Sequence, residues 1–202
     1  MQDPVINEAT AETWIYPTNY SVRKYQRDIS ETCLYHNTLV SLPTGMGKTL
    51  IAAVVMYNFH RWFPTGILLF LAPTKPLVSQ QIAACRDIMG IPTSSIAQMD
   101  GTVPSKSRED LWKTKKLFFC TPQVVENDLA HGRCEARRVV CVVLDEAHRA
   151  TGNYAYVKVI HELSRQRCRF RVLALSATPG SDRRAIQNVC SHHLGTHPMR
   201  ST

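Results

Sequence analysis

Short apolar runs alternate along the chain with longer stretches in which apolar residues recur at helical spacing. The runs are rich in Val, Leu, Ile and Phe and show little polar alternation, which is typical of parallel strands buried on both faces. The six runs are 38–42, 67–72, 95–99, 117–120, 139–144 and 172–175. The pattern therefore predicts six strands of a mostly parallel sheet.

The stretches between the runs predict helices. Apolar stripes with helical spacing follow Gly47 and Asn153, and Ser181 is the predicted N-cap of a helix that extends to Val189. Further helices are predicted over 76–89, 106–113 and 123–130. Strands that alternate with helices indicate an open α/β fold with right-handed crossovers and helices on both faces of the sheet.

The chain has 202 residues, which is the length of one ordinary domain. Residues 1–19 show no period, so we interpret them as an irregular N-terminal leader. Residues 20–197 carry the alternating pattern and form the expected domain, while 198–202 are a short tail. No apolar run approaches the roughly 18 residues that a membrane span needs, so no membrane partner is expected.

The charge balance favours a polyanionic partner. The chain has 24 Lys and Arg against 16 Asp and Glu, a formal net charge of +8, although a solvated basic surface would give the same number. The densest basic region contains Lys106, Arg108, Lys113, Lys115 and Lys116. The seven cysteines are odd in number and include no CxxC pair, which indicates reduced thiols rather than a disulfide framework or a zinc site.

The strongest chemical signal is a glycine-rich segment between the first predicted strand and the helix that follows it. Backbone N–H groups of such a loop and the helix N-terminus can hold phosphates, while the lysine reaches the β- and γ-phosphates and the threonine hydroxyl binds Mg²⁺. The residues are Thr44, Gly45, Met46, Gly47, Lys48 and Thr49. Leu42 stands where the full phosphate-loop pattern has its first glycine, and a simple glycine turn is the alternative interpretation.

Two adjacent carboxylates, Asp145 and Glu146, end a later strand. At the carboxyl edge of a parallel sheet they can lie beside the phosphate loop, where Asp145 would hold Mg²⁺ and Glu146 would activate the attacking water. Alone, such a pair could also cap the next helix. The hydroxyls of Ser176 and Thr178 follow the last strand and could sense the nucleotide, although a Ser/Thr-rich turn has the same composition.

The order Gly-Lys-Thr, Asp-Glu-Ala-His, Ser-Ala-Thr resembles the first RecA-like P-loop domain of superfamily 2 DEAH-box helicases. The resemblance implies that Gln26, helped by Arg23, reads the adenine of ATP, and that His148, Ser176 and Thr178 couple the nucleotide to the nucleic acid. It also implies a set of loop residues that contact the sugar-phosphate backbone. These are Pro73, Thr74, Lys75, Gly101, Thr121, Pro122 and Gln123.

A denser resemblance is to the Fanconi anaemia group M and Hef family, carried by LPTGMGKT, LAPTKPLVSQQI, DEAHRATGNYAY and LALSATPGSD. It implies an ATP- and Mg²⁺-dependent DNA helicase or translocase that remodels replication forks, Holliday junctions and D-loops in nuclear DNA repair. Fanconi core-complex and histone-fold partners are implied for regions outside this chain.

The sequence lacks the motifs of the second RecA-like domain that this family uses, and the resemblance fades after about Cys190. Because an arginine finger is worth roughly 10³–10⁵-fold in related phosphoryl transfer, we expect this chain alone to bind Mg-ATP weakly and to hydrolyse it very slowly. Two alternatives stay open at this point. One is an RNA-acting superfamily 2 helicase domain, and the other is a nucleotide-gated DNA- or protein-binding module without turnover.

Overall fold

The computed structural model describes residues 3–149 and 154–177. Within these residues, six strands form one sheet in the order β1-β6-β5-β2-β4-β3, and every adjacent pair is parallel. Their bounds are Thr38–Ser41 (β1), Ile67–Leu71 (β2), Ile96–Met99 (β3), Leu117–Cys120 (β4), Val139–Leu144 (β5) and Arg171–Ser176 (β6). The predicted α/β fold and its six strands are confirmed.

Seven α-helices connect or flank these strands in the described part of the chain. They are α1 (Glu8–Ala11), α2 (Lys24–Tyr35), α3 (Lys48–Trp62), α4 (Lys75–Met89), α5 (Ser105–Thr114), α6 (Pro122–Ala130) and α7 (Ala155–Arg165). The helix predicted over 181–189 and the tail 198–202 lie outside the described residues. None of the described helices is long and apolar enough to cross a membrane.

The sheet is covered on both faces, so its strands contribute to two hydrophobic cores. On one face Leu68 and Phe70 of β2 pack with the buried residues of α2, α3 and α4. On the other face Leu69 and Leu71 pack with those of α5, α6 and α7. Burial on both faces explains why the strands are almost continuously apolar, as parallel sheets require.

The N-terminal segment that we interpreted as a leader contains α1 and packs on α3. The buried amide of Asn58 accepts a hydrogen bond from the N–H of Ile15 at 2.7 Å and donates one to its carbonyl at 2.8 Å. The indole N–H of Trp62 donates to the carbonyl of Thr10 at 3.0 Å. These polar groups of α3 need partners because they are buried, and the N-terminal segment supplies them.

The parallel topology puts the carboxyl ends of all six strands at one edge of the sheet. The phosphate loop follows β1, Asp145 follows β5, and Ser176 ends β6; these three strands are neighbours in one half of the sheet. The loops after β2, β4 and β3 come from the other half, and they carry the predicted nucleic-acid contacts. The edge therefore has two adjoining sectors, one for each predicted ligand.

Candidate nucleotide site and nucleic-acid groove

The phosphate loop turns through two glycines in the left-handed region. Gly45 has a φ of 82° and Gly47 a φ of 90°, values that L-residues with a side chain rarely adopt. Gly47 is the N-cap of α3, so Lys48 and Thr49 stand in the first turn of that helix. The loop therefore places a helix N-terminus, with its partial positive charge, beside these two side chains.

The ammonium group of Lys48 folds back over its own loop. Its Nζ donates to the carbonyl oxygens of Leu42 at 2.7 Å and Pro43 at 3.3 Å. Leu42 departs from the usual glycine, but only its carbonyl is needed for this contact. The substitution is therefore compatible with a loop that holds Lys48 in place.

Gln26, which is predicted to read the adenine, is hydrogen-bonded to the phosphate loop. Gln26 is 5% exposed, and its Nε2 donates to the carbonyl of Met46 at 3.1 Å; the hydroxyl of Tyr25 donates to the same carbonyl at 3.0 Å. A side chain at Gly47 would collide with Gln26, because its Cβ would lie 2.2 Å from Nε2. Arg23 also contacts this group, since its Nη1 donates to the hydroxyl of Tyr25 at 3.4 Å.

Thr49 and Asp145 are joined through a residue that the sequence pattern did not single out, Gln81 of α4. The Thr49 hydroxyl donates to Gln81 Oε1 at 2.9 Å, and Gln81 Nε2 donates to Asp145 Oδ2 at 3.1 Å. Asp145 is 4% exposed. Burial raises the pKa of its carboxyl above the ordinary value, while the N–H of Glu146, the charge of Lys48 and the Gln81 amide act in the opposite direction.

The turn that carries the two carboxylates is held tightly. Glu146 has a φ of 50°, a left-handed conformation that is unfavourable for a residue with a side chain, and its N–H donates to Asp145 Oδ1 at 3.0 Å. The fully buried Tyr156 donates its hydroxyl hydrogen to the carbonyl of Asp145 at 2.6 Å, with the carbonyl of Leu71 at 3.2 Å. Tyr156 thereby connects the ends of β5 and β2. It is the last residue of the DEAHRATGNYAY segment, but the sequence did not predict this role.

The three predicted coupling residues have different outcomes. His148 follows in the same turn, and its Nδ1 lies 3.4 Å from Glu146 Oε2, so the imidazole contacts the carboxylate that is predicted to activate water. Ser176 is buried at the end of β6, beside Ser41 of β1, and its carbonyl accepts from the N–H of Leu42 at the start of the phosphate loop. Thr178 lies outside the described residues.

A groove of about 530 Å³ occupies the other sector of the edge. Its lining brings together six of the seven residues predicted to contact nucleic acid, from the loops after three different strands. The lining residues are Pro73, Thr74, Lys75, Gly101, Arg108, Thr121, Gln123, Val124 and Asn127. Pro122, the seventh, is buried as the first residue of α6 and does not line the groove.

The cations of the groove already have partners. Lys75 Nζ lies 3.2 Å from Asp100 Oδ2 and 3.2 Å from the hydroxyl of Thr102. Hydrogen bonds from Thr102, and then the bond and charge of Lys75, hold the pKa of Asp100 below its usual range. Arg108, one member of the basic region, is 8% exposed and forms two hydrogen bonds to the fully buried Asp128, at 2.8 and 2.9 Å.

A parallel six-stranded sheet with a phosphate loop after β1 and adjacent carboxylates after β5 defines a RecA-like P-loop domain. The DEAD/DEAH box helicase profile matches residues 23–186, and the chain belongs to that family. It is 56% identical over 194 residues to the Fanconi anemia group M protein homolog of Mus musculus, covering 96% of this chain and 10% of that protein. It is 54% identical over 197 residues to the ATP-dependent DNA helicase fml1 of Schizosaccharomyces pombe, covering 97% of this chain and 24% of that protein.

Among solved structures, the Pyrococcus furiosus Hef helicase domain superposes with a TM-score of 0.76 at 36% identity, covering 93% of this chain and 38% of that one. The resemblance to the Fanconi anaemia group M and Hef family is therefore confirmed, as is the RecA-like fold. The chain spans between about a tenth and a quarter of the two curated relatives named above.

Proposed function

We propose that this chain is the ATP-binding half of an ATP-dependent DNA helicase or translocase. The observation that carries the proposal is the placement of Lys48, Thr49, Asp145 and Glu146 in one sector of the sheet edge, directly beside the groove that gathers the predicted backbone contacts. The similarity to a protein named as an ATP-dependent DNA helicase supports the same reaction class and the same nucleic acid.

The donor set fits the magnesium ion that accompanies ATP in this family. Thr49 offers a hydroxyl oxygen and Asp145 a carboxylate oxygen, and both are hydrogen-bonded to the same Gln81 amide, so they lie near each other. Hard oxygen ligands of this kind suit Mg²⁺. When bound, Mg²⁺ would neutralise part of the charge on the β- and γ-phosphates.

Other residues of the chain bind the phosphates, activate water and bind the adenine. Lys48 exchanges its carbonyl contacts for phosphate oxygens, while the loop and the N-terminus of α3 bind the phosphates through backbone N–H groups. Glu146 orients a water molecule and accepts its proton. Tyr156 stabilises the left-handed turn that positions Asp145 and Glu146. Gln26, with Arg23, binds the adenine of ATP.

The groove binds the sugar-phosphate backbone. The N-termini of α4 and α6 open beside it, and Thr74, Lys75, Thr121 and Gln123 supply polar side chains that suit phosphate and sugar oxygens. Such contacts do not read base sequence, which suits an enzyme that moves along DNA. For the whole protein we propose action on branched DNA during repair in the nucleus. The Fanconi core-complex and histone-fold partners that the family resemblance implies would bind regions outside this chain.

The test is ATP hydrolysis by this chain with fork DNA, with duplex RNA of equal length and without nucleic acid. Phosphate release should be slow, stimulated by fork DNA and abolished by Lys48→Ala. Stronger stimulation by RNA would overturn the DNA assignment. ATP binding with no stimulated hydrolysis would contradict the enzyme and indicate a nucleotide-gated binding module.

A further inference from the structure

Gln81 lies between the two residues proposed to hold Mg²⁺, and it contacts both of them. Its Oε1 accepts from the Thr49 hydroxyl at 2.9 Å, and its Nε2 donates to Asp145 Oδ2 at 3.1 Å. Thr49 stands on α3, Asp145 follows β5 and Gln81 belongs to α4, so one amide connects three elements. A residue with this placement can orient the Thr49 hydroxyl and the Asp145 carboxylate at the same time.

The direction of each hydrogen bond follows from the chemistry of the groups. A carboxylate only accepts, so the amide nitrogen must face Asp145, and the amide oxygen is left to face Thr49. The Thr49 proton is therefore directed to Gln81, and its oxygen lone pairs stay available to a cation. Asp145 gives one lone pair to Gln81 and one to the N–H of Glu146, which leaves lone pairs on both carboxylate oxygens.

The amide is carried by a helix that is packed into the hydrophobic core. Val78, Cys85 and Met89 of α4 are buried in the core that α4 shares with α3. Gln81 itself is half-buried at the surface of this core. Partners that orient metal ligands in this way fix both the direction and the basicity of the ligand.

We propose that Gln81 is a positioning residue that sets the Mg²⁺ affinity of the nucleotide site by orienting the Thr49 hydroxyl and the Asp145 carboxylate. The inference rests on the proposed function, since it requires that these two groups hold Mg²⁺ with ATP. A purely structural role for Gln81 would be to fasten α4 to β5. That role predicts a change in stability but no change in metal dependence.

The experiment measures binding of a fluorescent ATP analogue by this chain while Mg²⁺ is titrated, and again in EDTA. Gln81→Met keeps the length and helix propensity of the side chain but removes both hydrogen bonds. The neighbouring Gln80→Met is the matched control, because Gln80 is exposed on the same helix turn. Melting temperatures without nucleotide report on the fold of each variant.

We expect Gln81→Met to raise the Mg²⁺ concentration at half-saturation about 10- to 100-fold, as loss of such partners does in metal sites. Binding in EDTA should match the wild type, and Gln80→Met should match it throughout. A Mg²⁺ midpoint within about twofold of the wild type would overturn the inference, since loss of a ligand-orienting partner costs more than that.

If Gln81→Met does not fold, Gln81→Asn, whose amide is too short to reach both partners, should raise the midpoint in the same way. A wild-type chain without Mg²⁺-dependent nucleotide binding would instead refute the proposed function.

Discussion

Asp100 pairs with Lys75 and offsets part of the charge that the lysine presents to the groove. The carboxylate is 5% exposed and divides its two oxygens between neighbours: Oδ1 accepts from the N–H and hydroxyl of Thr102, and Oδ2 pairs with Lys75. If the groove binds DNA as proposed, a phosphate must compete with Asp100 for the lysine. The proposed groove should then bind DNA more weakly than an unpaired Lys75 would allow.

The first prediction concerns Asp100→Asn. The amide keeps the oxygen that Thr102 needs but no longer pairs with Lys75, so affinity for DNA should rise. The slope of log affinity against log salt should become steeper by about one phosphate contact. Salt titrations of fluorescent duplex binding measure both effects. Asp87→Asn, the same charge change at an exposed position on α4, should leave the slope unaltered, and an equal effect of both variants would exclude the specific pairing.

The second prediction concerns the hydroxyl of Tyr156. Tyr156→Phe leaves the ring in the core but removes the donor shared by the carbonyls of Asp145 and Leu71, so the free energy of unfolding should fall by about 1–2 kcal/mol. Urea denaturation measures this. Tyr154→Phe changes a half-buried neighbour in the same way and should cost less than about 0.5 kcal/mol. Equal losses in the two variants would contradict the role of Tyr156.

At the scale of elements, the strands and most helices are predictable because their buried positions are apolar at a regular spacing. Helix α2 is not, because two of its four buried residues, Gln26 and Ser30, are polar and leave no apolar stripe. The role of Gln81 was not predicted either, because a polar residue on a helix that binds other side chains cannot be distinguished in the sequence from one that faces solvent. Arg108 lies in a basic stretch, and only the fold shows that it faces Asp128.

Asp128 joins α5 to α6 through buried polar contacts. Its carboxylate accepts from Arg108 and from the indole N–H of Trp112 at 2.9 Å, and it also contacts Arg133 at 3.3 Å. The hydrogen bonds and charge of Asp128 raise the pKa of Arg108, whereas burial opposes this. These helices flank the groove, so the cluster fixes one of its walls.

The third prediction follows from this cluster. Asp128→Ala leaves the Arg108 guanidinium buried without its carboxylate, so the free energy of unfolding should fall by about 3–5 kcal/mol. Asp110→Ala removes an exposed carboxylate from α5 and should change stability by less than about 0.5 kcal/mol. Equilibrium unfolding in urea distinguishes them. A loss below about 1 kcal/mol for Asp128→Ala would show that the cluster adds little to stability.

At the scale of the whole molecule, strand order accounts for the two sectors. Strands β1, β6 and β5 carry the proposed nucleotide site, while β2, β4 and β3 carry the groove. Helix α4 has Lys75 at its start in the groove sector and Gln81 near its middle in the other sector. The net charge of +8 suits a polyanionic partner, as composition indicated. The relation between the sectors depends on strand order, which the sequence does not reveal.

Lys48 and its loop are proposed to bind the phosphates of Mg-ATP. Isothermal titration calorimetry of Mg-ATP with the wild-type chain and with Lys48→Ala measures this binding. The wild type should bind one ATP per chain, and Lys48→Ala should lose at least about tenfold in affinity while its melting temperature without nucleotide stays close to that of the wild type. Equal affinity in the two proteins, or no binding by the wild type, would contradict the proposed role of Lys48 and its loop.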